Sequence, residues 1–162
     1  MEKYLEMALS FLVILPIVTI IHELGHIISV KMFGGKISSI TFGDGKELLK
    51  IGIIEIKRLY FLGGKITHKK LENDRKYKRI LIILSGPLLN LFTYILFLVV
   101  SRYWGRSFIL SRLITFSLLF CVSNLIPFSF GKTNTDGKQI LDLILYGKSV
   151  YYKKEKIKRD KA

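Results

Sequence analysis

His22-Glu23-Leu24-Gly25-His26 lies inside an apolar run. Residues 11–30 around it are otherwise almost all Leu, Ile, Val, Pro, Thr, Ser and Gly. Three ionisable groups in a helix at the centre of a bilayer would each cost about 2 kcal/mol or more. Side chains so expensive to place there are expected to do chemistry. A bare pentad of this form also arises by chance, but chance usually puts it on a polar helix surface.

The spacing says what that chemistry is. Positions i and i+4 share one face of a helix, so His22 and His26 can offer imidazole nitrogens to one metal ion. Glu23, next to the first ligand, can reach a water on that metal, take its proton and later return one to a leaving group. Gly25 leaves room for a neighbouring backbone. The pattern therefore reads as a zinc site built within a membrane, with His22 and His26 as metal ligands and Glu23 as the catalytic residue.

Working outward, the rest of the chain reads as membrane protein. It has 162 residues, half of them hydrophobic, and a mean hydropathy of +0.37, high for a chain with so many lysines. Three apolar segments, at about residues 5–30, 80–100 and 108–127, each supply roughly the 20 residues a helix needs to span hydrocarbon. The first is not a signal peptide: its start, Met-Glu-Lys-Tyr-Leu-Glu, has no basic region, and no small-residue cleavage site follows. The single cysteine, Cys121, lies in the third segment and reads as a small packing residue. The expected fold is an all-α membrane protein of three transmembrane helices. A small β-hairpin or sheet lies between the first and second, and a short C-terminal helix follows the third. Residues 1–150 form one domain and 151–162 a basic tail.

A formal charge of +14 raises nucleic-acid binding, but its distribution argues against it. Lys and Arg crowd residues 31–79 and the C-terminal stretch after Lys132, with few in the turn at 101–107. That asymmetry follows the positive-inside rule. It puts residues 31–79 and the C-terminus in the cytoplasm of a multi-pass cell-membrane protein, and the N-terminus outside. The tail, with Tyr151, Tyr152 and its lysines, is also suited to anionic lipid. No nucleic-acid partner is expected.

This topology predicts where a third ligand lies. The first and third spans both run inward, and the histidines sit toward the inner end of the first. The third span ends at Pro127, and Asp136 is the only carboxylate between Asp74 and Asp142. Two His and one carboxylate plus a water make a familiar catalytic zinc set. Asp136 is thus the candidate third ligand, with Asp142 as fallback. The alternative is that Asp136 caps the helix starting near Gly137, with Asn134 and Thr135 as rival caps. In the second span, Ser85-Gly86-Pro87 places small residues and a helix breaker in an apolar setting. This predicts close helix contact and a kink. Asn90 then faces the interior, as a substrate contact or an interhelical hydrogen bond. Asn124 invites the same two readings. Between the spans, residues 37–57 have strand character, with Gly43-Asp44-Gly45 as the expected hairpin turn.

Three features together resemble the site-2 protease family of intramembrane zinc metalloproteases. They are the pentad in the first helix, Ser85-Gly86-Pro87-Leu88-Leu89-Asn90 in the second, and Asn124-Leu-Ile-Pro127 followed by Asp136-Gly137 at the end of the third. The resemblance implies Zn2+ bound by His22, His26 and Asp136, with Glu23 as general base. It implies regulated intramembrane proteolysis of a membrane-anchored protein or peptide substrate. It also implies a small sheet whose edge pairs with that substrate once its helix unwinds, which replaces lost backbone hydrogen bonds.

Two departures stand out. Nine positions separate Pro127 from Asp136, more than the family's usual pattern. No PDZ-like or CBS-like segment is read in the chain, so a separate regulatory protein is expected. Two rival readings use the same residues: a membrane metal-binding or transport protein, and an inactive protease-like adaptor. The intact pentad and the single depth of the ligands favour hydrolysis over both.

Overall fold

The chain's structure, a computed structural model, describes residues 1–69, 71, 73–130 and 133–147. The basic tail at 151–162 lies outside them. The first membrane-length helix, residues Glu2–Met32, consists of α1 (Glu2–Leu9), a π-helical turn at Ser10–Ile14, and α2 (Leu15–Met32). It ends just before Gly34, which has a positive φ of 74°. Two strands follow, β1 (Ile37–Ile51) and β2 (Ile54–His68), then α3 (Lys76–Trp104) and α4 (Phe108–Leu125). A two-residue strand pair, β3 (Ser129–Phe130) and β4 (Thr133–Asn134), precedes α5 (Asp136–Tyr146). Among the described residues, three helices are long and apolar enough to cross a membrane, so the expected architecture is met.

The spans associate as membrane helices do. Ile17, Ile20, Leu24 and Ile28 on α2, and Leu88, Phe92, Ile95 and Val99 on α3, remain exposed, as suits a lipid-facing surface. Lipid tails are as apolar as leucine, so burial of such faces gives little drive, and close packing at small residues takes over. A Cβ on Gly25 would lie 2.3 Å from the Ser85 carbonyl oxygen; α2 and α3 therefore touch backbone to backbone. Near the C-terminal end of α2, Val30, Leu71 and Ile82 form a buried apolar cluster with Phe33 and Ile37 against it.

Pro87 lies inside α3, which is helical from Lys76 to Trp104. In the turn before it, Ile82's carbonyl takes hydrogen bonds from Ser85 Oγ and from His26 Nδ1. One local expectation is corrected. The hairpin turn is not at residues 43–45. There the strand bends, at Gly43 (φ 82°) and Gly45 (φ 93°), and the reversal comes at Gly52 (φ 57°). The bend folds the ribbon back on itself. Residues 40–42 pair with 64–66 on one side and with 54–56 on the other, and 49–51 pair with 54–56 in turn.

The ribbon also lies closer to the membrane helices than a cytoplasmic loop would. Gly64 packs on Glu23, and the Tyr60 hydroxyl donates to the Leu12 carbonyl at 3.1 Å. Those two contacts are eleven residues apart along the helix, about 16 Å at 1.5 Å per residue. Part of β2 thus runs beside the first span rather than clear of it.

Candidate metal centre

The pentad sits on α2 as its periodicity requires. His22 and His26 rise on one face, with His22 Nε2 and His26 Nε2 3.1 Å apart. Helix α5 brings Asp136 to them: its Oδ2 lies 3.0 Å from His22 Nε2 and 3.5 Å from His26 Nε2. His22, Glu23 and Asp136 are 4%, 5% and 7% exposed. Asp136 Oδ2 is buried and makes no hydrogen bond, although two imidazole nitrogens surround it. The three atoms converge on a common point.

That point fits a zinc ion. Ligand atoms set tetrahedrally about 2.0–2.1 Å from zinc lie about 3.3 Å from one another. The three observed separations fall on either side of that value. The donor set, two imidazoles and one carboxylate, is that of a catalytic site with a position left open. Burial pushes the Asp136 carboxyl up, but the two imidazoles beside it outweigh that and hold it below the ordinary carboxylate range. It is therefore an anion at neutral pH, as a ligand must be. A buried carboxylate oxygen without a hydrogen bond is costly unless a cation meets it.

The nine-residue separation from Pro127 has a local explanation. Within it lies the β3–β4 pair, in which Ser129 pairs with Asn134. Thr135 closes the excursion: its backbone N–H and its hydroxyl donate to Phe128 and Ile126 carbonyls, at 3.1 and 2.7 Å. The same hydroxyl accepts from Lys138 N–H at 3.3 Å and caps α5. Of the rival caps, Thr135 is the one used, which frees Asp136 to face the histidines. Asp142 is not in the cluster; it pairs with Lys138 at 2.6 Å.

Outer contacts orient both rings. His26 Nδ1 donates to the Ile82 carbonyl at 2.7 Å, so its Nε2 faces inward with a lone pair. His22 Nδ1 faces Asn90 Nδ2 at 3.2 Å, and Phe120 of α4 meets the His22 ring edge-on at 5.3 Å. Asn124 is not brought to the site: its amide donates to Phe120's carbonyl one turn back on its own helix. Two glycines missing from the sequence-derived site line it. A Cβ on Gly86 would come 2.4 Å from His26 Nε2 and 2.8 Å from His22 Nε2. One on Gly64 would come 2.7 Å from the Glu23 side chain. Gly86 carried a signal, as the small residue before Pro87 in an apolar helix. Gly64 carried none, because its place depends on how the ribbon folds.

Residues 10–107 match Peptidase family M50. The chain belongs to Peptidase family M50. This is the site-2 protease family, one of zinc metalloproteases, and its match covers the pentad, the ribbon and Asn90 but stops before Asp136. Among similar proteins, "Uncharacterized membrane protein YwmF" of Bacillus subtilis (strain 168) is 33% identical over 141 residues, covering 85% of this chain and 88% of that protein. A "Putative zinc metalloprotease" of Borreliella burgdorferi is 31% identical over 119 residues, covering 59% of this chain and 26% of that protein. In this M50 member the His-His-Asp cluster joins two histidines of the first membrane-length helix to Asp136 of α5.

Proposed function

We propose that the protein is an intramembrane zinc metalloendopeptidase that hydrolyses peptide bonds in or next to transmembrane segments of membrane-anchored substrates. One observation carries this reading: His22 Nε2, His26 Nε2 and Asp136 Oδ2 converge at 3.0–3.5 Å, with Glu23 the next residue after the first of them. Membership of Peptidase family M50 supports it.

His22, His26 and Asp136 would hold the metal. Zinc bound there would supply a Lewis acid that polarises a water and the scissile carbonyl. Glu23 takes the proton from that water as general base and returns one to the departing amine as general acid. Gly64 keeps the ribbon close above the Glu23 carboxylate without filling the space it needs. The edge of β2 lies beside it, where an extended substrate segment would find backbone partners. Burial of the cluster excludes bulk water, which strengthens its electrostatics. The bilayer, a membrane-anchored substrate and a separate regulatory protein are the expected partners, with the C-terminus in the cytoplasm.

The test is Glu23→Gln in the full-length chain, with metal content and substrate cleavage both measured. Comparative membrane proteomics of wild type and this variant supplies the substrates. We expect one zinc per chain in both proteins, and uncut substrates accumulating in the variant. Zinc bound with cleavage unchanged removes Glu23 from the chemistry. Zinc bound with no cleavage by the wild type favours a metal carrier or an adaptor.

A further inference from the structure

Asn90 is fully buried, 0% exposed, in the middle of α3. Its Nδ2 faces His22 Nδ1 at 3.2 Å, while its Oδ1 is buried without a partner. A ring nitrogen that accepts from an amide N–H carries no proton, so this arrangement puts the His22 proton on Nε2. That proton then lies on the side of Asp136 Oδ2, 3.0 Å away, and His26 Nε2, 3.1 Å away. A metal ligand needs the opposite: a bare Nε2 and a proton on Nδ1. His26 already has that form, because Ile82's carbonyl can only accept. His22 has no carbonyl in the same place. It has Asn90.

We infer that Asn90 is the positioning residue that selects the His22 tautomer, through the orientation of its amide. Half a turn about the last side-chain torsion exchanges Oδ1 and Nδ2. Oδ1 then accepts from Nδ1–H, gains the partner it lacks, and leaves the Nε2 lone pair aimed at the point shared with His26 and Asp136. An amide can serve both tautomers; a carbonyl or a leucine cannot. The site thus has one imidazole fixed by backbone and one set by a side chain that can turn. This rests on the zinc reading given above.

The experiment uses the purified full-length chain in detergent or nanodiscs, with zinc as the probe. Zinc affinity is measured by chelator competition for wild type, Asn90→Leu and Asn90→Asp. Losing an outer partner of a ligating histidine typically weakens metal binding about 10–100-fold. We expect that loss in Asn90→Leu, and near-wild-type affinity in Asn90→Asp, whose carboxylate can accept from Nδ1–H but cannot donate. A purely structural asparagine would weaken both alike, and equal losses overturn the inference, as does wild-type affinity in Asn90→Leu. The 15N shifts of His22 in zinc-loaded wild type need no variant to fold. A protonated Nδ1 hydrogen-bonded to Asn90 supports the inference; an Nδ1 without a proton overturns it. If the wild type takes up no zinc, the metal reading itself fails. Zinc uptake with unchanged affinity in Asn90→Leu overturns only the role of Asn90.

Discussion

Gly64 of β2 faces Glu23 of α2 so closely that a Cβ on the glycine would sit 2.7 Å from both Cγ and Oε1 of the glutamate. The ribbon and the proposed base therefore share one small volume. Gly64→Ala is expected to push the carboxylate aside or lift the strand. Because Glu23 is not one of the converging donors, the metal should stay. We expect cleavage to fall toward the loss set by general-base removal, about 10²–10⁴-fold, with zinc content unchanged. Metal analysis beside a cleavage assay decides it, and zinc loss in parallel with activity would mean that Gly64 supports the whole site rather than Glu23.

Gly86 makes the complementary case. Its missing Cβ leaves free the space 2.4 Å from His26 Nε2 and 2.8 Å from His22 Nε2. Gly86→Ala is expected to block the point where the donors converge, so zinc stoichiometry should drop toward zero. Alanine is favoured over glycine in a helix by about 1 kcal/mol, so the apo protein should melt no lower than wild type. Metal loss with retained stability separates site occlusion from misfolding, and a variant that still binds one zinc would show that the metal does not occupy that point.

The carboxylates give a third contrast. Asp136 is buried and faces both imidazoles, whereas Asp142 pairs with Lys138 one turn along α5. Asp136→Asn removes the anion and is expected to abolish zinc binding and cleavage together. Asp142→Asn breaks a pair of the i,i+4 kind, worth about 0.5 kcal/mol, and should leave both intact. Full zinc occupancy in Asp136→Asn would remove it from the ligand set.

These residues also show what could be read from sequence and what could not. The pentad was legible because helix periodicity fixes i and i+4 on one face whatever surrounds them. Three spans were legible because bilayer thickness fixes their length. Asp136 was legible only as a candidate. Its distance from Pro127 became intelligible once Ser129–Phe130 and Thr133–Asn134 were seen to pair as two short strands, with Thr135 clamping the base. The bend at Gly43 and the true reversal at Gly52 were not legible. Both sites carry turn-compatible glycines, and only the pairing of residues 40–42 on two sides decides between them. Gly64 was hidden for the same reason.

Thr135 makes that clamp testable. Its hydroxyl donates to Ile126's carbonyl at 2.7 Å and accepts from Lys138 N–H at 3.3 Å. Thr135→Val keeps the shape and removes these bonds together with the hydroxyl's contacts to the Phe128 backbone. Loss of an N-cap typically costs about 1 kcal/mol, so a modest fall in melting temperature is expected. The larger effect should be on zinc, because Asp136 is the very next residue and α5 carries it. Weaker zinc binding in Thr135→Val, recovered in Thr135→Ser, is the expected pattern. Equal affinity in all three proteins would mean that α5 is held by its other contacts alone.

Tyr60 and Leu12 join the ribbon to the far part of the first span. The π-helical turn at Ser10–Ile14 interrupts the regular ladder, and the Leu12 carbonyl within it takes the Tyr60 hydroxyl at 3.1 Å. Turns of this kind occur most often at functional positions, and here the irregular carbonyl is what the strand holds. Tyr60→Phe keeps the ring that packs edge-on against Phe61 at 5.7 Å and deletes only the hydroxyl. The net loss should be about 1 kcal/mol, with zinc content unaffected because the site lies about 16 Å along the helix. Loosening should be confined to β2. Hydrogen exchange is expected to speed up across residues 54–64 while the spans stay protected. Uniform acceleration throughout the chain would instead make this bond a global support, and no change at all would mean that Gly64's contact with Glu23 holds the ribbon by itself.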